Sequence, residues 1–308
     1  MNYFDCHADT LTEIADDETL AASGRDVDLA RVGTFADRYT QIFAVWEDVA
    51  LFSPDETDAR FWTCYQRAIE LLHDQEDRVS LVRSAAEMHA AHEAGRAAAF
   101  LSIEDVSFMG SHVDDLFGLG FRFALPCWNH ANRYACGAAC DQRCGLTEEG
   151  RSLVRSLDEQ GVVLDVSHLS DAGVEDLFGI VDGPVMASHS DVREIADRPR
   201  NLARWQVDEI VRRGGLIGLN LFAPFVSADG TATLDDLLRH ADYVLEAGGE
   251  DVLAIGADFD GSDGLFPEGV TGVQSIPDVR ARFASSFGEE LAEKVFFGNA
   301  TAFVDRVL

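Results

Sequence analysis

The sequence is poor in basic residues. It has one lysine, Lys294, among 308 residues, and 24 basic side chains stand against 55 acidic ones. The formal net charge is −31, so phosphate groups would be repelled at long range. We therefore expect neither nucleic acid nor an anionic membrane to be the main partner of this protein.

Proline and long apolar runs are also scarce. The chain has 7 prolines, and no apolar run reaches the roughly 18 residues of a membrane-spanning helix. The first 20 residues lack the basic start and apolar centre of a signal peptide. An even spread of apolar residues, with 20 phenylalanines, excludes collagen-like and disordered classes. These features predict a globular cytoplasmic protein with a single domain over residues 1–308.

The chain has six cysteines, four of them in one short stretch: Cys6, Cys64, Cys127, Cys136, Cys140 and Cys144. In the cytoplasm we expect free thiols rather than a disulfide framework. Three residues separate each neighbouring pair in the run 136–144, which is wider than the C-x2-C spacing of structural zinc sites. We expect a loop with incidental or packed thiols, and an additional metal site is the alternative.

Short apolar runs alternate with helix-like amphipathic stretches along the chain. The candidate strands are 3–7, 40–46, 97–103, 121–127, 161–167, 184–188, 215–221 and 251–257, with 78–82 as a short extra element. The helical patterns are 57–73, 84–94, 149–160, 170–180, 205–213 and 233–247. Apolar strands separated by amphipathic helices indicate a parallel sheet covered on both faces. Eight such units predict an α/β fold, a single (β/α)8 TIM barrel with helices from 275–308 packed on it.

A Rossmann fold is disfavoured because no G-x-G-x-x-G motif follows an early strand. In a TIM barrel, the chemistry lies at the carboxyl ends of the strands. The polar residues found at those ends are Asp5, His7, Asp9, Glu104, Asp105, Asn129, His130, His168, His189, Asp258 and Asp260. At least three of these four histidines and at least three of the carboxylates would therefore meet at one rim of the barrel.

Imidazoles and carboxylates are ligands that Zn²⁺ and similar ions prefer. His7 and Asp9 are two residues apart on a strand, so both would face the same side. A set of six ligand-type residues exceeds the needs of one catalytic zinc and predicts a pair of bridged ions. Each signal alone is weak, since a single histidine after a strand is more often packed and hydrogen-bonded than a ligand. The prediction of a two-ion site therefore rests on the occurrence of all these residues at the same end of separate strands.

The remaining histidines lie in helical or loop contexts, where we interpret them as surface or packing residues. They are His73, His89, His92, His112 and His240.

The motifs resemble those of the membrane dipeptidase (renal dipeptidase) family, peptidase family M19, a metal-dependent branch of the amidohydrolase-like barrels. The similarity runs from one end of the chain to the other. The matching segments are DCHAD at 5–9, SIEDV at 102–106, GLTEEGRSLVRSLDEQGVVLDVSHLS at 145–170, ASHSDVREIADRPRNL at 187–202, GLIGLNL at 215–221, GADFDG at 256–261 and FFGNATAFVDRV at 296–307.

The resemblance implies a set of metal ligands. His7, Asp9 and Glu104 would bind one zinc ion. Glu104 would bridge to a second zinc ion held by His168 and His189. The expected cofactor is thus two Zn²⁺ per chain, although Mn²⁺ or Co²⁺ would fit the same ligands.

The resemblance also implies catalytic and substrate-binding roles. Asp258 would be the acid/base residue beside a hydroxide that bridges the metals, and Arg200 would pair with the C-terminal carboxylate of a dipeptide. The chain departs from the eukaryotic pattern at Trp128, where those members have a histidine thought to polarise the scissile carbonyl. Asn129 would supply a hydrogen bond there instead. A second departure is Phe225, which stands in place of a tyrosine.

The expected function is that of a zinc-dependent dipeptidase, which hydrolyses the amide bond of small dipeptides, with a D-residue allowed at the C-terminal position. One alternative is a related amidohydrolase that acts on N-acyl-D-amino acids, cyclic amides or lactones. Another is a metal-binding or scaffold protein without catalysis. Homodimers are common among such barrels, so a homodimer is a further expectation.

Overall fold

The computed structural model describes residues 1–15 and 18–308. Within them, one parallel sheet contains nine strands: β1 (Asn2–Ala8), β2 (Arg38–Val45), β3 (Val79–Leu81), β4 (Ala97–Glu104), β5 (Phe121–Leu125), β6 (Val163–Leu164), β7 (Met186–Ala187), β8 (Leu216–Leu219) and β9 (Leu253–Ile255). The strand order is β6-β5-β4-β2-β1-β9-β8-β7, and β3 pairs with β4. A parallel bridge between Asp165, directly after β6, and Met186 of β7 brings the two ends together. The predicted eight-stranded α/β barrel is confirmed.

Helices follow the strands as the sequence predicts. They are α1 (Thr10–Glu13), α2 (Leu29–Val32), α3 (Pro54–His73), α4 (Ala85–Glu93), α5 (Leu116–Leu119), α6 (Glu148–Glu159), α7 (Asp171–Phe178), α8 (Arg204–Arg213), α9 (Ala223–Val226), α10 (Leu234–Glu246), α11 (Ile276–Phe287), α12 (Glu289–Glu293) and α13 (Asn299–Val307). Short 3₁₀ or π-helical segments link several of them, the longest being Val106–Asp115, which is kinked at Gly110. The three final helices are those expected within 275–308.

Hydroxyl caps fix the starts of several helices, including α6 and α7. The Thr147 hydroxyl accepts from the Gly150 amide at 3.0 Å before α6, and the Ser170 hydroxyl accepts from the Gly173 amide at 3.1 Å before α7. Each cap satisfies a backbone donor that has no partner within its helix. The start predicted at Ser170 is therefore confirmed.

The barrel interior is filled by side chains from alternate strand positions. This inner cluster includes Phe4, Cys6, Phe100, Phe123 and Met186, all essentially inaccessible to solvent. Phe303 and Val304 of α13 belong to the same cluster, so this helix closes one end of the barrel.

Lys294 marks the same end of the molecule, because its ammonium group contacts Glu250 and Asp251, which precede β9. The amino ends of parallel strands share one face. The closed end is thus the amino end, and the carboxyl ends of the strands are left for the site.

The loop between β5 and α6 contains a disulfide between Cys136 and Cys144, so the expectation of free thiols is wrong for these two residues. The loop folds back on itself through a bridge between Ala135 and Leu146, which places the two cysteines opposite each other with Cα atoms 5.7 Å apart. Cys6, Cys64, Cys127 and Cys140 are free, as expected.

None of the helices in residues 1–15 and 18–308 combines the length and the apolar character needed to cross a membrane.

Candidate active site

A bulge near the end of β1 turns two side chains into the barrel. The register with β2 shifts between Asp5 and Ala8. Ala8 consequently packs in the outer core, although Phe4 and Cys6 face inward. The shift directs His7 and Asp9 toward the barrel axis, a re-aiming that bulges commonly provide.

Glu104, the last residue of β4, lies between the predicted ligands. Its Oε2 is 3.0 Å from Nε2 of His7, and its Oε1 is 2.9 Å from Nε2 of His168. The same Oε1 lies 3.7 Å from Nε2 of His189. One carboxylate therefore reaches histidines on both of its sides.

Polar contacts at Nδ1 fix the imidazole rings of His168 and His189. Nδ1 of His168 lies 2.9 Å from Oδ1 of Asn129, an acceptor, so this nitrogen carries the proton. Nδ1 of His189 lies 2.7 Å from the Ser188 hydroxyl. The two Nε2 atoms then face each other at 2.8 Å beside Glu104. His168 has a φ of +69°, a strained conformation of the kind that concentrates at functional sites.

Asp258 closes the group from the β9 side. Its φ is +59°, and its amide donates to the His7 carbonyl oxygen at 3.2 Å. Oδ1 lies 4.0 Å from Nε2 of His7, while Oδ2 accepts a 3.0 Å hydrogen bond from the amide of Asn220. Asp9 completes the group, with Oδ2 3.5 Å from the same His7 nitrogen.

Several buried polar atoms at this centre have no hydrogen-bond partner among the described residues. They are both ring nitrogens of His7 and Oδ1 of Asp9; the carboxylate oxygens close to Nε2 of His7 do not have hydrogen-bond geometry. Orphaned buried polar groups of this kind are costly unless something compensates them. One ligand atom each from His7, Glu104 and His189 falls within 4.8 Å of the others, and the same holds for His7, Asp9 and Asp258. Imidazole nitrogens and carboxylate oxygens that converge in this way fit divalent ions such as zinc.

Burial dominates the electrostatics of the site. It raises the pKa of the Glu104 carboxyl to about 8, against the effect of His7. Burial also lowers the pKa values of His168 and His189 well below the ordinary histidine range, with Arg200 adding to the effect. Burial likewise works to lower the pKa of His7, but the carboxylates of Glu104 and Asp9 outweigh it and raise that pKa.

Arg200 lies beneath the rim on the side of β7. It is 7% exposed, and its Nη1 and Nη2 donate to the Ser190 hydroxyl at 2.7 Å and to the His189 carbonyl oxygen at 2.8 Å. Its Nε has no partner in the described residues. The guanidinium carbon is 5.7 Å from the centre of the Phe225 ring. A fixed cation thus stands next to one wall of the site.

A cavity of about 360 Å³ opens over the ligands. Trp128 and Asn129 line it, as do Trp46 and Phe225. The Trp128 ring centre is 6.0 Å from that of His168. The structure therefore brings all nine predicted site residues around one chamber or just beneath its wall.

The residues that shape or support this chamber without having been anticipated from the sequence include Asn220, Trp46 and Gly261. Asn220 holds Asp258, Trp46 forms a wall, and Gly261 leaves space for the carboxylates of Asp9 and Asp258 that a Cβ atom would occupy. The sequence could have indicated Asn220 and Trp46, because each comes directly after an apolar strand, as the predicted site residues at the other strand ends do. No sequence signal distinguishes Gly261 from an ordinary turn glycine.

The other histidines lie outside the chamber, in agreement with their interpretation as surface or packing residues. His73 and His89 are exposed and contact Glu76 and Asp305. His240 is buried, and its two ring nitrogens contact the Val192 amide and the Val226 carbonyl oxygen.

The similarity to known proteins covers the whole chain. Residues 1–307 match the family described as membrane dipeptidase (peptidase family M19). The chain belongs to this family. Family membership and the structural neighbours identify a metal-dependent peptide hydrolase.

Curated relatives of the family have low but extended identity. A dipeptidase of Aspergillus terreus is 28% identical over 291 residues, which cover 83% of this chain and 70% of that protein. An uncharacterized protein from the pqqA 5′ region of Klebsiella pneumoniae is 29% identical over 244 residues, 75% of this chain and 89% of that protein.

A solved structure has the same fold throughout. It is a metallopeptidase from Rhodobacter sphaeroides, liganded with a phosphinate mimic of the dipeptide L-Ala-D-Ala. The TM-score is 0.91 and the identity 25%, over 100% of this chain and 99% of that one.

Proposed function

We propose that this member of the membrane dipeptidase family is a zinc-dependent dipeptidase with two ions per chain. The observation that carries the proposal is the position of Glu104, whose two oxygens lie 3.0 Å from His7 and 2.9 Å from His168. A carboxylate that reaches ligands on both sides suits a bridge between two ions.

His7, Asp9 and Glu104 would hold one ion, and Glu104, His168 and His189 the other. When bound, such ions supply Lewis-acid chemistry, which makes hydroxide available near neutral pH and polarises the scissile carbonyl. The protein contributes the orientation of the ligands: Asn129 fixes the ring of His168, and Ser188 fixes that of His189.

Asp258 would move the proton. Its Oδ2 is held by Asn220, whereas Oδ1 lies toward His7 and the centre of the site. A carboxylate in this place accepts the proton of the attacking water and passes it to the leaving amine.

Arg200 would recognise the C-terminal carboxylate of the substrate. Its buried guanidinium is a pre-organised cation whose planar shape matches a carboxylate. A free carboxylate next to the scissile bond would restrict the enzyme to dipeptides. Trp128 and Asn129 would line the chamber around the scissile bond. A D-residue at the C-terminal position is supported by the L-Ala-D-Ala mimic in the Rhodobacter sphaeroides enzyme.

The first test is metal content and hydrolysis of L,L and L,D dipeptides by freshly purified protein, before and after chelation. We expect about two zinc ions per chain and activity that Zn²⁺ restores. Activity confined to N-acyl-D-amino acids, cyclic amides or lactones would instead assign the related amidohydrolase function. Stoichiometric metal without hydrolysis of any substrate would reject both.

Two variants separate the proposed roles. Asp258→Asn should keep both ions and lose about 10²–10⁴-fold in kcat, as expected for a lost general acid and base. Arg200→Ala should chiefly raise KM for dipeptides while leaving C-terminally amidated substrates unaffected. An equal effect on amidated substrates would contradict carboxylate recognition.

A further inference from the structure

A second cavity, of about 550 Å³, adjoins the chamber over the ligands. We call it the outer cavity; its walls come from residues 46–58, 105–111 and 128–133. It shares Trp46 and Trp128 with the chamber. The two indole rings lie 4.8 Å apart at an angle of 52°. The outer cavity therefore continues the chamber past an aromatic pair.

The barrel order places the outer cavity opposite Arg200. Around the barrel the strands follow one another as β1, β2, β4, β5, β6, β7, β8 and β9. Strands four places apart face each other, so β2 lies across from β7 and β4 lies across from β8. Arg200 follows β7, whereas the outer cavity is built by loops after β2, β4 and β5. A dipeptide with its carboxylate at Arg200 would extend its amino end toward Trp46 and Trp128.

The walls of the outer cavity include both apolar or aromatic side chains and carboxylates. Val49, Phe52 and Pro54 line it together with Trp46 and Trp128, the two residues that it shares with the chamber. A straight aliphatic side chain would pack on such walls while keeping a polar head at their edge.

The carboxylates are Asp48, Asp55 and Asp58, and none of them pairs with a basic side chain in the part of the chain that the structure describes. Among the residues described, Asp58 accepts only from Ser111, and Asp48 accepts from the Ala50 amide. The nearby basic residues are already engaged, because Arg60 pairs with Glu47 and Arg133 pairs with Glu149. The outer cavity thus has an excess of negative charge next to two aromatic faces, which attract cations.

We propose that the outer cavity binds a long cationic side chain, such as that of arginine or lysine, on the N-terminal residue of the dipeptide. This inference rests on the proposed dipeptidase function and on the binding direction set by Arg200. The aliphatic stem packs on Trp46 and Trp128, and the charged head meets Asp48, Asp55 and Asp58.

The test compares three dipeptides with the same C-terminal alanine on the zinc-loaded enzyme: arginyl-alanine, citrullyl-alanine and alanyl-alanine. Citrulline has nearly the shape of arginine without its charge. We expect kcat/KM for the arginine substrate to exceed that for the citrulline substrate by about tenfold at low salt, and by less at high salt, because salt screens exposed charges.

Two kinds of variant locate the effect. The double variant Asp48→Asn/Asp55→Asn should reduce the arginine-to-citrulline ratio several-fold and leave alanyl-alanine unchanged. Asp242→Asn, an exposed carboxylate on α10, is the matched control and should change no ratio. Ala50→Trp, at an exposed position of the outer cavity, should slow both long substrates and spare alanyl-alanine.

Equal rates for arginine and citrulline substrates, with alanyl-alanine hydrolysed, would overturn this inference alone. So would an Ala50→Trp variant that slows alanyl-alanine as much as arginyl-alanine. Failure to hydrolyse any dipeptide would instead overturn the proposed function, and this inference with it.

Discussion

The side-chain amide of Asn220 donates a 3.0 Å hydrogen bond to Oδ2 of Asp258, and both side chains are buried. The Oδ1 atom of Asn220 accepts from the amide of Phe222 at 2.6 Å, which fixes the orientation of the side chain. Asn220 thereby holds one oxygen of Asp258 and leaves the other directed toward His7.

This relationship predicts that Asn220→Ala lowers kcat by about 10–100-fold, the usual cost of losing a residue that orients a catalytic group or metal ligand. Metal content should stay at the wild-type value, because the one proposed ligand that Asn220 contacts is His189, and that contact is a 3.4 Å hydrogen bond to the backbone carbonyl oxygen rather than to the ring. The acid limb of the pH–rate profile should also shift, since the hydrogen bond stabilises the charged form of Asp258. An unchanged profile with reduced kcat would indicate a general structural effect instead.

Gly261 has no room for a side chain. A Cβ atom there would lie 2.2 Å from Oδ2 of Asp9 and 2.5 Å from Oδ1 of Asp258. Gly261→Ala should therefore displace these carboxylates, reduce metal content and abolish most activity. Gly183→Ala is the control, because no non-neighbouring atom of residues 1–15 and 18–308 lies within 4 Å of a Cβ at that position. Wild-type metal content in Gly261→Ala would show that the site tolerates the displacement.

The Cys136–Cys144 disulfide closes a loop that contacts the site directly. The Ala138 amide donates to the His168 carbonyl oxygen at 2.7 Å, and the Ala139 amide donates to that of Asn129 at 2.9 Å. Removing the disulfide with Cys136→Ser/Cys144→Ser should cost about 2–3 kcal/mol of folding free energy, as estimated for a short closed loop.

Activity of that double variant should fall as well, because the loop supports His168 and Asn129. A phosphine reductant should reproduce both effects in the wild type, and reoxidation should reverse them. Cys140→Ser, in the same loop but outside the disulfide, should change neither the melting temperature nor the rate. Full activity after complete reduction would refute the supporting role of the loop.

His240 predicts a pH dependence of stability away from the metal ligands. Its Nδ1 accepts from the Val192 amide at 3.0 Å, and its Nε2 donates to the Val226 carbonyl oxygen at 2.8 Å, so the ring is neutral. Burial lowers its pKa to about 4, with Arg239 acting in the same direction and the Val226 carbonyl and Asp236 opposing them.

The unfolded chain therefore takes up this proton near pH 6.5, before the folded protein does. The stability linked to His240 is complete above about pH 6.5 and falls as the pH drops toward about 4, by roughly 3 kcal/mol in total. His240→Gln should be less stable than the wild type at pH 7. The difference in unfolding free energy should narrow toward pH 4; a constant difference would remove His240 from this role.

Much of the fold follows from apolar runs that are long enough to be recognised. All eight main strands and the short additional one were predicted, but β6 and β7 are only two residues long. The reason is local: Oδ1 of Asp165 accepts from the amides of Ser167 and Ser188, which replaces strand pairing at that point. Because the Asp165 carboxylate replaces hydrogen bonds between strands without interrupting the apolar runs, the sequence pattern does not show that β6 and β7 are so short.

Site residues could be predicted from the sequence where a polar residue stands at the carboxyl end of an apolar strand. His7, Glu104 and His168 are examples. The disulfide was not, because several cysteines share the same loop and only the fold-back between Ala135 and Leu146 selects a pair. The inward orientation of His7 also depends on the β-bulge in β1, and the sequence of residues 2–8 does not predict that bulge.

The single lysine has a practical consequence for handling the protein. Lys294 lies at the amino end of the barrel, where its ammonium contacts Glu250 and Asp251, and its side chain is one-third exposed. Amine-directed coupling to a solid support would use this side chain or the α-amino group of Met1, which precedes β1 at the same end of the barrel, so each molecule would be held by that end. The mouth of the barrel would then point away from the support, open to peptides in the flowing solution.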